Sequence, residues 1–187
     1  MSRSAATRDP VRLFVATHDG QTARVAAAVA DRLQSRGLAV VSEILRNGEP
    51  TPTVGPASLV VLLAAVRYGR HLPQARAFAA AYGGTVSPPL AVASVCLTAR
   101  KPNRRSPDDN PYLKRLIARC GLRPVLGRAF GGMLDYPRYR WFDRQMIRLI
   151  MVLTGGPTDA ASVIEYTDWD EVAAFADQLA DIARAPA

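Results

Sequence analysis

Three runs of this sequence hold residue types whose spacing could do chemistry at one place. Thr17-His18-Asp19-Gly20-Gln21-Thr22 sets two hydroxyls around a glycine able to take positive φ, immediately before an Ala-rich helical stretch. Successive backbone N–H groups, hydroxyls and a helix N-terminus are the parts of a phosphate cradle. The run has neither the G-x-x-x-x-G-K-[ST] of a triphosphate loop nor the G-x-G-x-x-G of a dinucleotide loop. An ordinary turn with Asp19 or Thr22 capping the helix would use the same residues. The second run, Val66-Arg67-Tyr68-Gly69-Arg70-His71, and the third, Cys96-Leu97-Thr98-Ala99-Arg100, each follow an apolar segment. Between them a flat aromatic ring could be held by backbone groups beside a tyrosine. Taken singly, Tyr68 reads as a packing residue and His71 as a helix-start residue; their value lies in convergence.

Convergence needs elements that bring these runs to one edge. Val11 to Ala16 reads as a strand, and Ala23 to Arg36 as a helix with Val25, Ala26, Val29, Ala30 and Leu33 on one face and Gly37 as its stop. Leu38 to Glu43 is a second strand, and Leu59 to Ala65 is a continuous apolar run suited to the middle of a covered sheet. Pro73 to Ala81 (helix), Leu90 to Val95 (strand), Tyr112 to Cys120 (helix), Val125 to Phe130 (strand) and Asp170 to Arg184 (helix) follow. The alternation predicts an α/β fold, a doubly wound five-stranded parallel sheet of flavodoxin-like order 2-1-3-4-5. Ligands of such sheets sit at the carboxyl ends of the strands where the order reverses, here between strands one and three. Gly131 to Thr158 exceeds any simple connection, and Val163 to Tyr166 reads as strand again, so the segment is expected to be an insertion that splits the edge strand. The domain expectation is a flexible extension over residues 1–10 and a single domain over 11–187, with the insertion at about 131–158.

Composition narrows the class. The chain is 49% hydrophobic and 21% charged, which excludes a disordered chain and fits one core. Residues Met1 to Pro10 lack the apolar centre of a secretory signal, and Gly83-Gly84 and Pro88-Pro89 break the longest uncharged stretch, so no transmembrane helix is expected. Cys96 and Cys120 make no metal-ligand spacing with His18 and His71, and both are expected to be reduced thiols in a cytoplasmic protein. Charge is unevenly placed: from Thr98 to Ile150 there are 13 Arg and Lys against four Asp, while the whole chain carries +8. Such a segment should meet nucleic acid, a lipid head-group surface or a carboxylated substrate, unless it is simply an Arg-rich solvated face.

Together, the Thr-x-Asp-Gly-Gln-Thr loop, Arg67-Tyr68-Gly69, Ala99-Arg100-Lys101-Pro102, Tyr136-Pro137-Arg138-Tyr139-Arg140-Trp141, Gly155-Gly156 and Tyr166-Thr167-Asp168-Trp169 resemble the flavodoxin-like, menaquinone-dependent protoporphyrinogen IX dehydrogenases of bacterial haem biosynthesis. The resemblance runs from about Val11 to Ala183. It implies one non-covalent FMN, six-electron oxidation of protoporphyrinogen IX to protoporphyrin IX and delivery of the electrons to a membrane quinone. It further implies cofactor binding by Thr17, His18, Asp19, Gly20, Gln21, Thr22, Arg67, Tyr68, Gly69, Cys96, Leu97 and Thr98. His18 stands where the family has Arg, and Cys96 where it has Asn. The substrate is large and apolar with two propionates, which guanidinium groups suit. Arg138 and Arg140, then Arg100 and Lys101, are the candidates for the propionates, and Tyr136, Tyr139 and Trp141 for stacking on pyrrole rings. The flavin would take hydride itself, so no catalytic acid or base is assigned and no metal is expected.

In the insertion, Arg140, Arg144 and Arg148 recur every four residues amid Trp141, Phe142, Met146, Ile147, Leu149, Ile150, Met151, Val152 and Leu153. As a helix this stretch extends only about 21 Å. The hydrocarbon layer is about 30 Å thick, so the helix would lie on an anionic membrane surface rather than cross it. Packing against the sheet edge or across a homo-oligomer interface is the competing reading. The expected location is cytoplasmic, at the inner face of the membrane. A plain FMN electron carrier and an NAD(P)H-quinone oxidoreductase are the rival functions, with nucleic-acid binding the last.

Overall fold

In the computed structural model, residues 9–135, 137, 145, 152 and 163–185 are described. Strand β1 (Val11–Ala16) lies between β2 (Val40–Ile44) and β3 (Leu59–Arg67), and β5 (Leu90–Cys96) and β6 (Leu126–Gly131) continue the sheet. All four pairings along this path are parallel, and the order β2-β1-β3-β5-β6 is the expected 2-1-3-4-5. Side chains alternate across a strand, so each run feeds two cores. Val11, Leu13, Val15, Leu59, Val61, Leu63, Ala91 and Ala93 pack on α1 (Gln21–Ser35) and α4 (Trp169–Arg184). Phe14, Ala16, Val60, Leu62, Ala64 and Val92 pack on the opposite face with Phe78 of α2 (Pro73–Tyr82) and Leu113 and Leu116 of α3 (Pro111–Cys120). Burial on both sides is why β3 and β5 read as unbroken apolar runs.

Local signals set the helix ends. Gly37 has φ +79, with its N–H bonded to Gln34 O and that of Leu38 to Leu33 O, a Schellman stop. Asn110 is buried and caps α3, its Oδ1 accepting from the N–H groups of Tyr112 and Leu113 at 3.1 Å each. Asp168 caps α4 through Glu171 N–H. Helices α1 and α4 are tied by Arg32 and Arg36 on Asp177, at 2.9 Å each. These guanidinium groups hold the Asp177 carboxyl down to about 2.

Three expectations change. The run Val66 to His71 is not an open loop: β3 extends to Arg67 and pairs antiparallel with β4 (Arg70–His71). Tyr68 (φ 49) and Gly69 (φ 72) form the two-residue turn, and positive φ at both centres is what a primed hairpin turn requires. Helix α1 begins at Gln21, after Gly20 at φ +93, with no side-chain cap, so neither Asp19 nor Thr22 caps it. The edge strand is not split: β6 is continuous, and β8 (Val163–Glu165) does not rejoin the parallel sheet. It pairs antiparallel with β7 (Met133–Asp135) in a separate ribbon. The chain turns out of the sheet at Gly131-Gly132, so the ribbon stands at the carboxyl edge.

Candidate functional site

A cavity of about 140 Å³ opens at that carboxyl edge, at the switch between β1 and β3. Thr17 follows β1; Arg67, Tyr68 and Gly69 come from the hairpin on β3; Cys96, Leu97 and Thr98 come from the end of β5 and the 3-10 turn Leu97–Arg100. Asp19, Gln21 and Thr22 complete the first wall. The three runs therefore converge. His18 and Gly20 do not line the cavity; Gly20 shapes the turn, and His18 is exposed with Nε2 3.7 Å from Asp19.

Within the first wall, Thr17 Oγ1 is buried with no hydrogen-bond partner among the described residues. It sits just before the first turn of α1, whose N–H groups have no intrahelical acceptor. An uncompensated buried hydroxyl beside open helix donors is chemically suited to an anion that accepts from both. Gln21 contributes differently. Its Nε2 donates to Glu165 Oε1 (2.9 Å) and Thr167 Oγ1 (2.8 Å), and its Oε1 accepts from Arg24. Thr167 in turn donates to Gly131 O at 2.8 Å. Gln21 thus ties the cradle to the end of β6 and the entry to α4.

The second wall is aromatic. The Arg67 guanidinium lies 5.1 Å from the centre of the Tyr68 ring, and Tyr68 is 53% exposed, so a flat face is offered to a ligand. In the third wall, burial pushes the Cys96 thiol up, and Asn110 Nδ2 donates to its sulfur at 3.4 Å. A neutral, enclosed thiol is no nucleophile. Sequence reading missed Tyr112 of α3 and Gly132, Met133 and Asp135 of the β7 ribbon, all of which line the cavity.

Arg100 and Lys101 do not line it; Arg100 Nη1 donates back to Leu97 O at 3.2 Å. Tyr136, Arg138, Tyr139, Arg140 and Trp141, together with Gly155-Gly156 and the recurring Arg140, Arg144 and Arg148, lie outside the described residues. Part of the basic segment is structural: Arg105 pairs with Asp168 (3.1 Å) and Glu171 (2.8 Å), and Arg128 with Glu171 (2.9 Å). Among the described residues no cluster of His, Cys, Asp or Glu could hold a metal, and no helix is long and apolar enough to cross a membrane.

Behind the hairpin, His71 Nε2 lies 2.7 Å from Ser94 Oγ, and burial, followed by Arg76, lowers the imidazole to about 4. The unfolded chain, titrating near 6.5, takes up this proton first as pH falls. The contribution is therefore complete above about pH 6.5 and lost progressively down to about pH 4, amounting to about 3 kcal/mol. His71→Gln should flatten that window in urea melts run from pH 7 to 4. The Asp177 contribution lies lower, fading between 3.8 and about 2. Equal pH slopes for variant and wild type between 6.5 and 4 would refute the assignment.

Comparison with known proteins agrees with this architecture. Residues 13–161 match the flavodoxin domain family. Flavodoxin 1 of Bacillus cereus superposes with a TM-score of 0.55 at 12% identity, covering 92% of this chain and 97% of its own, a likeness of fold. The protoporphyrinogen IX dehydrogenase [quinone] of Escherichia coli strain K12 is 38% identical over 176 residues, covering 93% of this chain and 96% of the relative. The protein of the same name from Leishmania major is 31% identical over 169 residues, covering 90% and 73%. With the fold, the switch-point cavity and full-length relatives in agreement, the chain belongs to the flavodoxin domain family and, within it, to the quinone-linked protoporphyrinogen IX dehydrogenases.

Proposed function

We propose that this chain is an FMN-dependent oxidoreductase that removes six electrons from protoporphyrinogen IX and delivers them to a membrane quinone, menaquinone in the first instance. The observation that carries the cofactor is the Thr17 hydroxyl, buried and without a partner among the described residues, beside the open N-terminus of α1. Thr17, Thr22 and the first-turn N–H groups would hold the phosphate, with Gly20 keeping the turn open and Asp19 and His18 at its rim. Tyr68 and Gly69 on one side, and Cys96, Leu97 and Thr98 on the other, would hold the flat ring, with Arg67 orienting Tyr68 from behind. Bound FMN supplies the two-electron chemistry between porphyrinogen and quinone. The protein's own part is to bind, orient and exclude water; no described side chain at the cavity is assigned as a proton-transfer group.

The substrate is assigned to the open side of the cavity. The insertion leaves and re-enters the domain through the β7–β8 ribbon, whose Met133 and Asp135 line the cavity wall. Residues Tyr136, Arg138, Tyr139, Arg140 and Trp141, next in sequence to that wall, are assigned to the macrocycle, with aromatic rings on pyrroles. The apolar and basic remainder of the insertion is assigned to an anionic membrane surface on the cytoplasmic side, which brings the quinone within reach.

Anaerobic mixing tests the reading. Protoporphyrinogen IX should bleach the flavin absorbance of the holoprotein, and a menaquinone analogue should restore it. A flavin that stays oxidised with porphyrinogen but bleaches with NADH would make the protein an NAD(P)H-quinone oxidoreductase. One that bleaches only with a partner reductase would make it an electron carrier.

A further inference from the structure

A second cavity, about 280 Å³, lies between α2, α3 and the β4 hairpin, and four arginines from three elements surround it: Arg70, Arg76, Arg115 and Arg119. On α3, Tyr112, Arg115, Leu116 and Arg119 share one helical face, with Leu116 buried as the floor and the guanidinium stems rising around it. Among the described residues no carboxylate pairs with any of the four. The other sheet face behaves differently, since Arg24, Arg32, Arg36, Arg105 and Arg128 all meet an Asp or Glu. Four like charges around one concavity repel one another, and an anion seated there relieves the repulsion. Burial is the larger influence on both the His71 imidazole, which it lowers, and the Cys120 thiol, which it raises; the Arg76 charge adds to the first shift and opposes the second, so its positive field reaches into the cavity.

The cavity is not remote from the cofactor cavity: Gly69 and Tyr112 line both. A ligand spanning the two would put an apolar body over the Tyr68–Gly69 turn and its anionic groups among the arginines. Resting on the function proposed above, we infer that this arginine cavity is the docking site for the paired propionate carboxylates of the porphyrinogen, setting which edge of the macrocycle faces the flavin. Guanidinium groups bind carboxylates bidentately, and two carboxylates find four such groups here. Arg100, turned onto Leu97, is not part of the anchor.

The test uses the FMN-loaded full chain, with Arg115→Ala/Arg119→Ala as the variant, Arg115→Lys/Arg119→Lys as the conservative partner and Arg123→Ala as a control outside the cavity. Two readouts are taken: binding of protoporphyrin IX followed by its fluorescence, and the KM and kcat for anaerobic porphyrinogen oxidation with a menaquinone analogue as electron acceptor. The alanine pair should bind the porphyrin and use the porphyrinogen about ten- to a hundredfold more weakly, mainly in KM. FMN affinity and quinone reoxidation should stay unchanged, and the lysine pair should recover part of the loss. With the dimethyl ester, wild type should fall to the level of the alanine pair, which should lose nothing further.

Equal porphyrin binding by the alanine pair and wild type overturns this site while leaving the function standing. Absence of bleaching by porphyrinogen in wild type overturns the function itself. Loss of binding to anionic vesicles with porphyrin affinity intact would make the cavity a lipid head-group contact and overturn the proposal.

Discussion

Thr17→Val is expected to move two properties in opposite directions. Among the described residues the buried Thr17 hydroxyl has no hydrogen-bond partner, and a buried hydroxyl left unpaired costs about 1–3 kcal/mol. Valine is close in shape and removes the unsatisfied atom, so the apoprotein should melt at a slightly higher urea concentration. With FMN present, the same hydroxyl donates to a charged phosphate oxygen, an interaction of about 1.5–3 kcal/mol. Its loss should weaken FMN by about ten- to a hundredfold, read by titrating apoprotein and following flavin fluorescence. Thr17→Ser, which keeps the donor, should bind FMN nearly as wild type does. A valine variant that holds FMN unchanged removes Thr17 from the phosphate site, whatever happens to its stability.

The contrast between Thr17 and Gln21 shows what a sequence can and cannot announce. Both stand in one loop and both carry polar groups suited to an anion. Thr17 follows β1 in an open turn, so its place at the sheet edge follows from the apolar run before it. The Gln21 side chain is taken up by Glu165 and Thr167, partners distant in sequence that only the ribbon and the entry to α4 bring close. The sheet order was legible for the reason that made Thr17 legible. Parallel strands buried on both faces must be written as unbroken apolar runs, and short connections leave few ways to order them.

The ribbon was only half legible. Val163 to Tyr166 reads as strand and β8 is Val163–Glu165, but its partner Met133–Asp135 is too short for a periodicity, and the two pair across the whole insertion instead of rejoining the sheet. Met133 and Asp135 entered the cavity unannounced as a result. Tyr112 was legible as part of a helix but not as a cavity wall, since its position depends on how α3 packs against the hairpin turn at Gly69. That turn itself hid its nature, because Tyr68 occupies a positive-φ position where Asn, Asp or Gly is the usual signal. The arginine cavity was hidden for a similar reason. Arg70, Arg76, Arg115 and Arg119 are scattered along the chain, and only the packing of α2 on α3 shows that four of the cations share one hollow.

The glycine at the joint between sheet and ribbon should prove the least replaceable. A methyl group at Gly131 would stand 2.2 Å from the carbonyl oxygen of Tyr166 and 2.7 Å from its carbonyl carbon. These are backbone atoms, so no rotamer change relieves the overlap. The chain entering α4 must move instead, and with it the Thr167 hydroxyl bonded to Gly131 O and the Gln21 amide bonded to Thr167. Overpacking of this kind costs about 1–3 kcal/mol and occasionally more, and each hydrogen bond broken adds about 1 kcal/mol. Gly131→Ala should therefore lose about 3 kcal/mol or more in urea unfolding. Because Gln21 is the first residue of α1, its displacement should carry the helix N-terminus away from the phosphate and lower FMN affinity as well. The neighbouring glycine supplies the control: a methyl at Gly132 meets nothing closer than 3.7 Å, so Gly132→Ala should change stability by less than about 1 kcal/mol. Wild-type stability and FMN binding in the Gly131 variant would mean that the Tyr166 backbone yields without strain, and that the Gln21–Thr167–Gly131 chain of bonds does not hold the cradle in place.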